Sequence, residues 1–235
     1  MRLYDLRTEY RENPIGLTDK APRFSWKMES EEKDTLQTAY EIKVTDENGN
    51  VVWNSGKKAS DQSVLIPYEG ETLADEMLYK VEVSVADNHG NVEAIEGTFE
   101  TGIFDNTEFT AKMITSDFPA EETACPVFGK TFAIDKKVKK ARLYATAHGV
   151  YEVTLNGQTV GDYRMAPGWT SYHNRLQYQI YDVQSSLQQK MKLRSQLETA
   201  GTRVFLDLLV SQIVMVHRQE LFWSFMLNMK MEAKM

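Results

Sequence analysis

The sequence contains little cysteine and no long apolar run. Its 235 residues include one cysteine, Cys125, which excludes an internal disulfide bridge and a cysteine-based zinc site. No stretch of about eighteen consecutive apolar residues is present, so the pattern predicts no transmembrane helix and no membrane partner. The formal net charge of −7 offers no basic surface to nucleic acid, and we expect no nucleic-acid partner.

The first ten residues also lack a feature, the apolar segment of a secretory signal peptide. Charged side chains occur throughout this stretch, and we therefore expect a cytoplasmic protein. The composition as a whole is that of an ordinary globular chain, with 42% hydrophobic and 26% charged residues, which excludes collagen-like and intrinsically disordered proteins.

The composition changes abruptly after Val183. Residues 1–183 contain 20 Lys and Arg against 30 Asp and Glu, a net charge of −10, whereas residues 184–235 contain 7 against 4, a net charge of +3. All eleven tyrosines and all six prolines lie in the first part, and six of the eleven methionines lie in the last 52 residues. The last part of the chain therefore needs an explanation of its own.

Alternation of apolar and polar residues predicts short β-strands in the first hundred residues. Tyr40–Val44 and Tyr79–Val85 alternate in this way, and a glycine-containing turn follows each of them. Further strands are predicted at 22–27, 51–53 and 98–100. Several short strands at this spacing indicate a β-sandwich, and we predict a fibronectin type III-like sandwich over residues 1–102.

A second β region follows a linker that we place at residues 103–127, where Pro119 and Pro126 interrupt regular structure. Asn156-Gly157 is a strong hairpin signal inside this region, and strands are predicted at 141–145, 151–155, 158–161 and 177–183. Residues 128–183 therefore predict an incomplete jelly-roll-like β-sandwich. The predicted fold class is all-β, with a C-terminal tail of doubtful structure at 184–235.

Short motifs spread over residues 1–183 together resemble the N-terminal β domains of bacterial α-L-rhamnosidases of glycoside hydrolase family 78. Each motif alone is strand and turn chemistry, but together, and in the family's order, they are specific. They are Asn13–Leu17, Pro22–Trp26, Gln37–Ile42, Trp53–Lys57, Arg142–Ala147, Leu155–Gly161, Ala166–Tyr172 and Tyr178–Val183.

The resemblance implies a parent enzyme that hydrolyses terminal α-L-rhamnose with inversion and acts on rhamnose-containing glycosides. The family places its two catalytic carboxylates in a downstream (α/α)6 barrel, for which this chain has no segment. Inversion needs an acid and a base separated by room for water, so we expect no catalytic residue here and an inactive chain. The alternative is a stand-alone carbohydrate-binding or structural β-sandwich module.

The tail can be read in another frame, taking the third base of each codon with the first two of the next. Over residues 225–233 the genetic code then permits Tyr-Val-Glu-Tyr-Glu-Asp-Gly-Ser, an alternating strand with an Asp-Gly turn. Over residues 189–204 it permits a peptide with a Gly-Asn-Gly-Trp-Tyr segment that resembles the family. We therefore expect a frameshift at about residues 184–190. The alternative is a genuine amphipathic C-terminal helix.

The loop at residues 169–175 is the candidate carbohydrate-binding site. Aromatic faces with a few amide and charged groups are typical of sugar sites. Related rhamnose-binding modules resemble this loop but carry an Asp-Asn pair that helps to hold calcium and the sugar, where this chain has His173-Asn174. Imidazole in place of a carboxylate weakens a calcium site, and the alternative role of the loop is packing. The candidate residues are Trp169, Tyr172, His173, Asn174 and Arg175, with calcium considered at Asn174 and no other cofactor expected.

The remaining residues that could carry chemistry predict no site. No His-Glu-x-x-His or Cys-x-x-Cys spacing occurs. His148 lies between two predicted strands, where a structural role is expected, and the neighbouring pair Glu121-Glu122 is expected to be solvated.

Overall fold

The computed structural model describes residues 1–105, 114, 125–134, 138–172, 174–198, 208–217 and 232–234, the last two ranges and residues 197 and 198 as backbone only. The chain divides into two compact units, Met1–Asn106 and Thr107–Met235. Strands dominate the regular structure of both units, which confirms the predicted all-β class. Within the described ranges, no helix combines the length and the apolar character that crossing a membrane would require.

Seven antiparallel strands form two sheets in the first unit. The three-stranded sheet has the order β1-β2-β5, and the four-stranded sheet has the order β4-β3-β6-β7. The strands are β1 (Arg2–Thr8), β2 (Arg23–Glu29), β3 (Gln37–Asp46), β4 (Val51–Asn54), β5 (Ile66–Pro67), β6 (Leu78–Asp87) and β7 (Val92–Glu100).

Side-chain alternation explains the central strands of this unit. On β6, Tyr79, Val81, Val83 and Val85 are buried, whereas the intervening residues are exposed or half-buried. This period of two places one face of the strand in the core. The predicted strands at 40–44 and 79–85 thus lie within β3 and β6, which pair with each other over most of their length.

The turns after β3 and β6 are built alike. The Asp46 carboxylate accepts hydrogen bonds from the backbone N–H of Asn48 (2.9 Å) and Asn50 (2.8 Å) and from the Asn50 side-chain amide (2.9 Å). Asp87 accepts the equivalent three bonds, two of them from Asn91. The glycines of the two turns have φ values of 91° and 88°, a conformation that favours glycine. The glycine-containing turns predicted from the sequence are therefore confirmed.

Two further sheets form the second unit. The five-stranded sheet has the order β11-β10-β13-β8-β15, and the three-stranded sheet has the order β12-β9-β14. The strands are β8 (Val127–Ala133), β9 (Val138–Ala147), β10 (Val150–Leu155), β11 (Gln158–Thr159), β12 (Gln179–Asp182), β13 (Lys190–Glu198), β14 (Leu208–His217) and β15 (Glu232–Lys234). A short 3-10 helix, Gln184–Ser186, connects β12 to β13.

Three of these strands lie in the tail at 184–235. β13 pairs with both β10 and β8, and its residues Met191, Leu193 and Ser195 are buried in alternation with exposed neighbours. The helical alternative for the tail is wrong over Leu208–His217, which forms β14 against β9. This segment contains four β-branched Val and Ile residues, which favour strands. The apolar cluster at 221–225 lies outside the described residues.

Candidate functional site

The candidate loop at 169–175 leads from the turn after β11 toward β12. A cis peptide joins Ala166 to Pro167, and Gly168 follows with φ of 101°. Trp169 comes next and is 74% exposed, the largest exposure among the exposed large hydrophobic side chains. The indole is therefore open to solvent and free of the core, as a side chain that stacks on a ligand must be.

Tyr172 faces another side chain instead of open solvent. Its ring stacks on the His148 imidazole with ring centroids 5.3 Å apart and an interplanar angle of 26°. His148 lies in the turn between β9 and β10. One face of the Tyr172 ring is thus occupied, and the structure brings this tyrosine together with a histidine for which the sequence predicted a structural role.

Asn174 and Arg175 close a backbone turn. Their N–H groups both donate to the Ser171 carbonyl, at 2.8 and 2.9 Å. The Asn174 side-chain amide donates to the Ser171 hydroxyl at 3.4 Å, and the Thr170 hydroxyl donates to the Arg175 carbonyl at 2.5 Å. These contacts hold the loop in shape and leave both residues exposed. His173, the remaining candidate, lies outside the described residues.

Calcium at Asn174 stays a prediction, and the described part of the loop supplies few oxygen ligands for it. A calcium ion takes about six to eight oxygen ligands, usually with several carboxylates among them. In the part of the chain that the structure describes, no group of three or more His, Cys, Asp or Glu side chains is placed to hold a metal ion. The Asn174 side-chain nitrogen donates to the Ser171 hydroxyl, which leaves its oxygen available, and an imidazole follows Tyr172 in the sequence where calcium prefers an oxygen.

A partly buried polar cluster supports the start of the loop. The Tyr151 hydroxyl lies 3.0 Å from Gln179 Oε1 and 3.2 Å from the Tyr181 hydroxyl. The Gln179 amide donates to the Pro167 carbonyl at 3.2 Å, which ties this cluster to the chain just before the loop. Burial raises the pKa of both the Tyr151 and the Tyr181 phenol, so both stay protonated and can donate at neutral pH.

Sequence reasoning missed this cluster, although it saw the strand that carries it. The spacing of Gln179 and Tyr181 places both on one face of β12. The sequence does contain a signal for this cluster. It is the presence of two polar side chains on one face of a strand, both able to form a hydrogen bond with a buried partner. The partner itself, Tyr151, comes from a different strand and could not be read from the sequence.

Comparisons with known proteins place both units in one family. Residues 3–105 match the family model described as the Rha78A-like, N-terminal immunoglobulin domain. Residues 136–193 match the α-L-rhamnosidase N-terminal domain. The first match covers nearly all of the first unit, and the second runs from just before β9 into β13.

Curated relatives and solved structures agree with the family models. An α-L-rhamnosidase of Formosa agariphila is 34% identical over 191 residues, covering 73% of this chain and 20% of that protein. An α-L-rhamnosidase of an Alteromonas species is 32% identical, with the same shares covered. Among solved structures, the α-L-rhamnosidase of Dictyoglumus thermophilum superposes with a TM-score of 0.79 at 31% identity, covering 88% of this chain and 26% of that one.

The fold class is thus an immunoglobulin-like β-sandwich followed by a second β unit. The chain corresponds to the N-terminal β domains of the α-L-rhamnosidase family. It spans about a fifth of the length of the curated relatives and about a quarter of the solved structure.

Proposed function

We propose that this chain is a non-catalytic N-terminal portion of an α-L-rhamnosidase. The observation that best supports this proposal is the order of the family matches: two models of N-terminal rhamnosidase domains match one unit each, in chain order. The chain spans about a fifth of the length of its relatives. The whole parent enzyme would hydrolyse terminal α-L-rhamnose from rhamnosides with inversion. The acid and base that inversion requires would come from the part of the parent beyond these β domains.

The function test is an activity assay on an aryl α-L-rhamnoside. We expect no turnover above the buffer rate by this chain, and turnover by the same chain joined in frame to the gene's downstream segment. An aryl α-D-mannoside serves as the control substrate for contaminating glycosidases. Rhamnoside turnover by this chain alone, retained after repurification, would contradict the non-catalytic assignment.

The domain limits remain part of the proposal: a sandwich at 1–102, a linker at 103–127, a partial sandwich at 128–183 and an out-of-frame tail at 184–235. The family match stops at residue 193, a few residues beyond the proposed change of frame. The burial of Met191 and Leu193 weighs against a change of frame before residue 191. Sequencing codons 184–190, together with the intact mass of the expressed protein, decides between a shifted and an unshifted gene.

A second candidate function is a stand-alone carbohydrate-binding module, and the exposed Trp169 indole is the observation that favours it. A stand-alone module would not need a catalytic domain encoded downstream, whereas a portion of a rhamnosidase would. The downstream DNA discriminates between the two. A continuing frame with helical-barrel sequence and acidic residues supports the rhamnosidase, and a true stop supports the module.

The finer fold type and the cellular location also belong to this proposal. β4 lies beside β3 in the second sheet, whereas a constant-type immunoglobulin domain has its fourth strand in the first sheet; this favours the fibronectin type III-like variant. The free, exposed thiol of Cys125 favours a reducing compartment such as the cytoplasm. Cell fractionation with an antibody to the chain tests the location.

A further inference from the structure

A cleft of about 250 Å³ lies in the second unit, and none of the candidate loop residues 169–175 lines it. Its floor comes from β10, and one side comes from residues 159–165. Tyr181 of β12 and Gln196 of β13 complete it. The cleft is smaller than the roughly 300 Å³ at which sites for drug-sized ligands begin, so it suits one small ring.

The charged groups in the lining neutralise each other. Glu152 and Arg164 are the acid and the base among the lining residues, and the Arg164 Nη1 atom lies 3.4 Å from Glu152 Oε2. Both side chains are more than half exposed, so they remain reachable from solvent. A cleft with one paired acid and base attracts neither an anion nor a cation through net charge. The paired lining charges favour a ligand without net charge.

An apolar rim stands beside this ion pair. Tyr163 is 57% exposed and Met165 is 70% exposed, and both line the cleft on either side of Arg164 in the sequence. Large apolar side chains left in water next to each other commonly mark a binding surface. A ligand with one apolar face and one polar edge would cover both the rim and the ion pair.

Gly161 fixes the distance between this rim and the strand below. Its φ is 72°, and a Cβ atom at this position would collide with the Tyr181 ring. The Val160 N–H donates to the Val153 carbonyl at 2.9 Å, which ties the same segment to β10. The segment is thus held over Tyr181 and β10, and the cleft walls are set before any ligand arrives.

We propose that this cleft binds a single neutral pyranose ring. The C–H face of the sugar lies on the Tyr163 ring and Met165, since aromatic faces attract polarised C–H groups. Adjacent sugar hydroxyls donate to the Glu152 carboxylate and accept from the Arg164 guanidinium. This inference goes beyond the proposed function, because that function assigns no ligand to this cleft.

Ligand-observed saturation-transfer NMR on the full chain tests the proposal, with methyl α-L-rhamnopyranoside and methyl β-D-glucopyranoside as neutral sugar probes. Adenosine is the flat aromatic comparison and glucuronate the anionic one. We expect millimolar binding of at least one neutral sugar, and a loss of affinity of about tenfold in Tyr163→Ala. The matched control is Tyr10→Ala, which removes a similarly exposed tyrosine ring from the first unit and should leave the affinity unchanged.

A second variant covers any failure of the first to fold. Arg164→Gln keeps a donor but breaks the ion pair, and it should weaken sugar binding without creating glucuronate binding. The amide NMR spectrum verifies that the second unit, which contains both substituted positions, is folded. The proposal is overturned if neither sugar binds, if adenosine binds more tightly than both sugars, or if Tyr163→Ala leaves sugar binding intact.

Discussion

The described cores of the two units differ in their share of aromatic side chains, which is larger in the first unit. In the first unit, aromatic rings contact one another: Phe99 lies 5.0 Å from Tyr79 and 6.0 Å from Phe24, measured between ring centroids. Phe24 in turn stacks on Trp53 at 6.1 Å. In the second unit the core consists mainly of aliphatic side chains, and β9 alone buries three alanines, Ala141, Ala145 and Ala147.

The difference teaches where each unit is vulnerable. A core built from a few large rings concentrates its stabilisation, because each ring buries much apolar area and also gains from ring-to-ring contacts. A core built from small side chains spreads the same stabilisation over many contacts. Truncation should therefore damage the first unit most at single aromatic positions, and the second unit most at its few large aliphatic residues.

The largest effect is expected for Phe99→Ala. The ring is fully buried and contacts two other rings, so its loss removes transfer free energy and leaves a cavity. We expect the free energy of unfolding of the first unit to fall by about 3–5 kcal/mol. Urea unfolding followed by tryptophan fluorescence measures this, because Trp26 and Trp53 are both in this core. Leu36→Ala, at an exposed position, is the control; equal stability of the two variants would refute the concentrated aromatic core.

The next largest effect is expected for Leu193→Ala in β13. Leu193 is buried in the second core, whereas its neighbour Lys192 is exposed on the same strand. We expect Leu193→Ala to destabilise the second unit by about 2–5 kcal/mol and Lys192→Ala to have little effect. Hydrogen exchange of the amides of β8 and β10, the strands that pair with β13, reports the change. Unaltered exchange in Leu193→Ala would show that β13 does not stabilise this sheet.

The smallest effect is the loss of first-unit stability at acid pH. In the first unit, Asp5 accepts from Lys27 at 2.7 Å and from Arg7 at 2.6 Å. These hydrogen bonds, that from Lys27 first, lower the pKa of the Asp5 carboxyl from 3.8 to about 2. Because the folded pKa lies below the unfolded one, ionised Asp5 stabilises the fold above about pH 4, and this contribution is lost as the pH falls toward 2.

The variant Asp5→Asn should therefore flatten the decline in first-unit stability between about pH 4 and pH 2. Urea midpoints of the chain and the variant, measured by tryptophan fluorescence across this range, provide the comparison. Asp61→Asn, at an exposed carboxylate, is the control and should keep the steeper decline. If the urea midpoints of the chain and of Asp5→Asn fall in parallel with pH, Asp5 does not contribute to the acid sensitivity of the first unit.

β1 shows why some of the fold could not be predicted from the sequence. Its residues Leu3, Leu6 and Thr8 are buried, a spacing that breaks the period of two. Asp5 has φ of 55°, and the register with β2 shifts between Tyr4 and Arg7. A β-bulge inserts one residue and so hides the strand from any test for alternation. Only the pairing with β2 reveals it.

The candidate site likewise has features that the sequence predicts and features that only the structure reveals. The sequence showed that the loop after Ala166-Pro167-Gly168 carries an aromatic residue, and Trp169 is exposed as a binding residue must be. The stacking of Tyr172 on His148 could not be predicted, because the two residues lie 24 positions apart with two strands between them. The cleft between Glu152, Arg164 and Tyr181 has the same origin, since its walls come from separate segments of the chain.

The sequence by itself determined the all-β class, the alternating strands β3 and β6, the glycine turns and the likeness to rhamnosidase N-terminal domains. These depend on neighbours along the chain, where side-chain period and backbone preference act directly. The tertiary structure alone decided the bulged β1, the place of β13 between β10 and β8, and the neutral cleft. These depend on which distant segments pair and pack together, and that choice is made by the burial of the whole core.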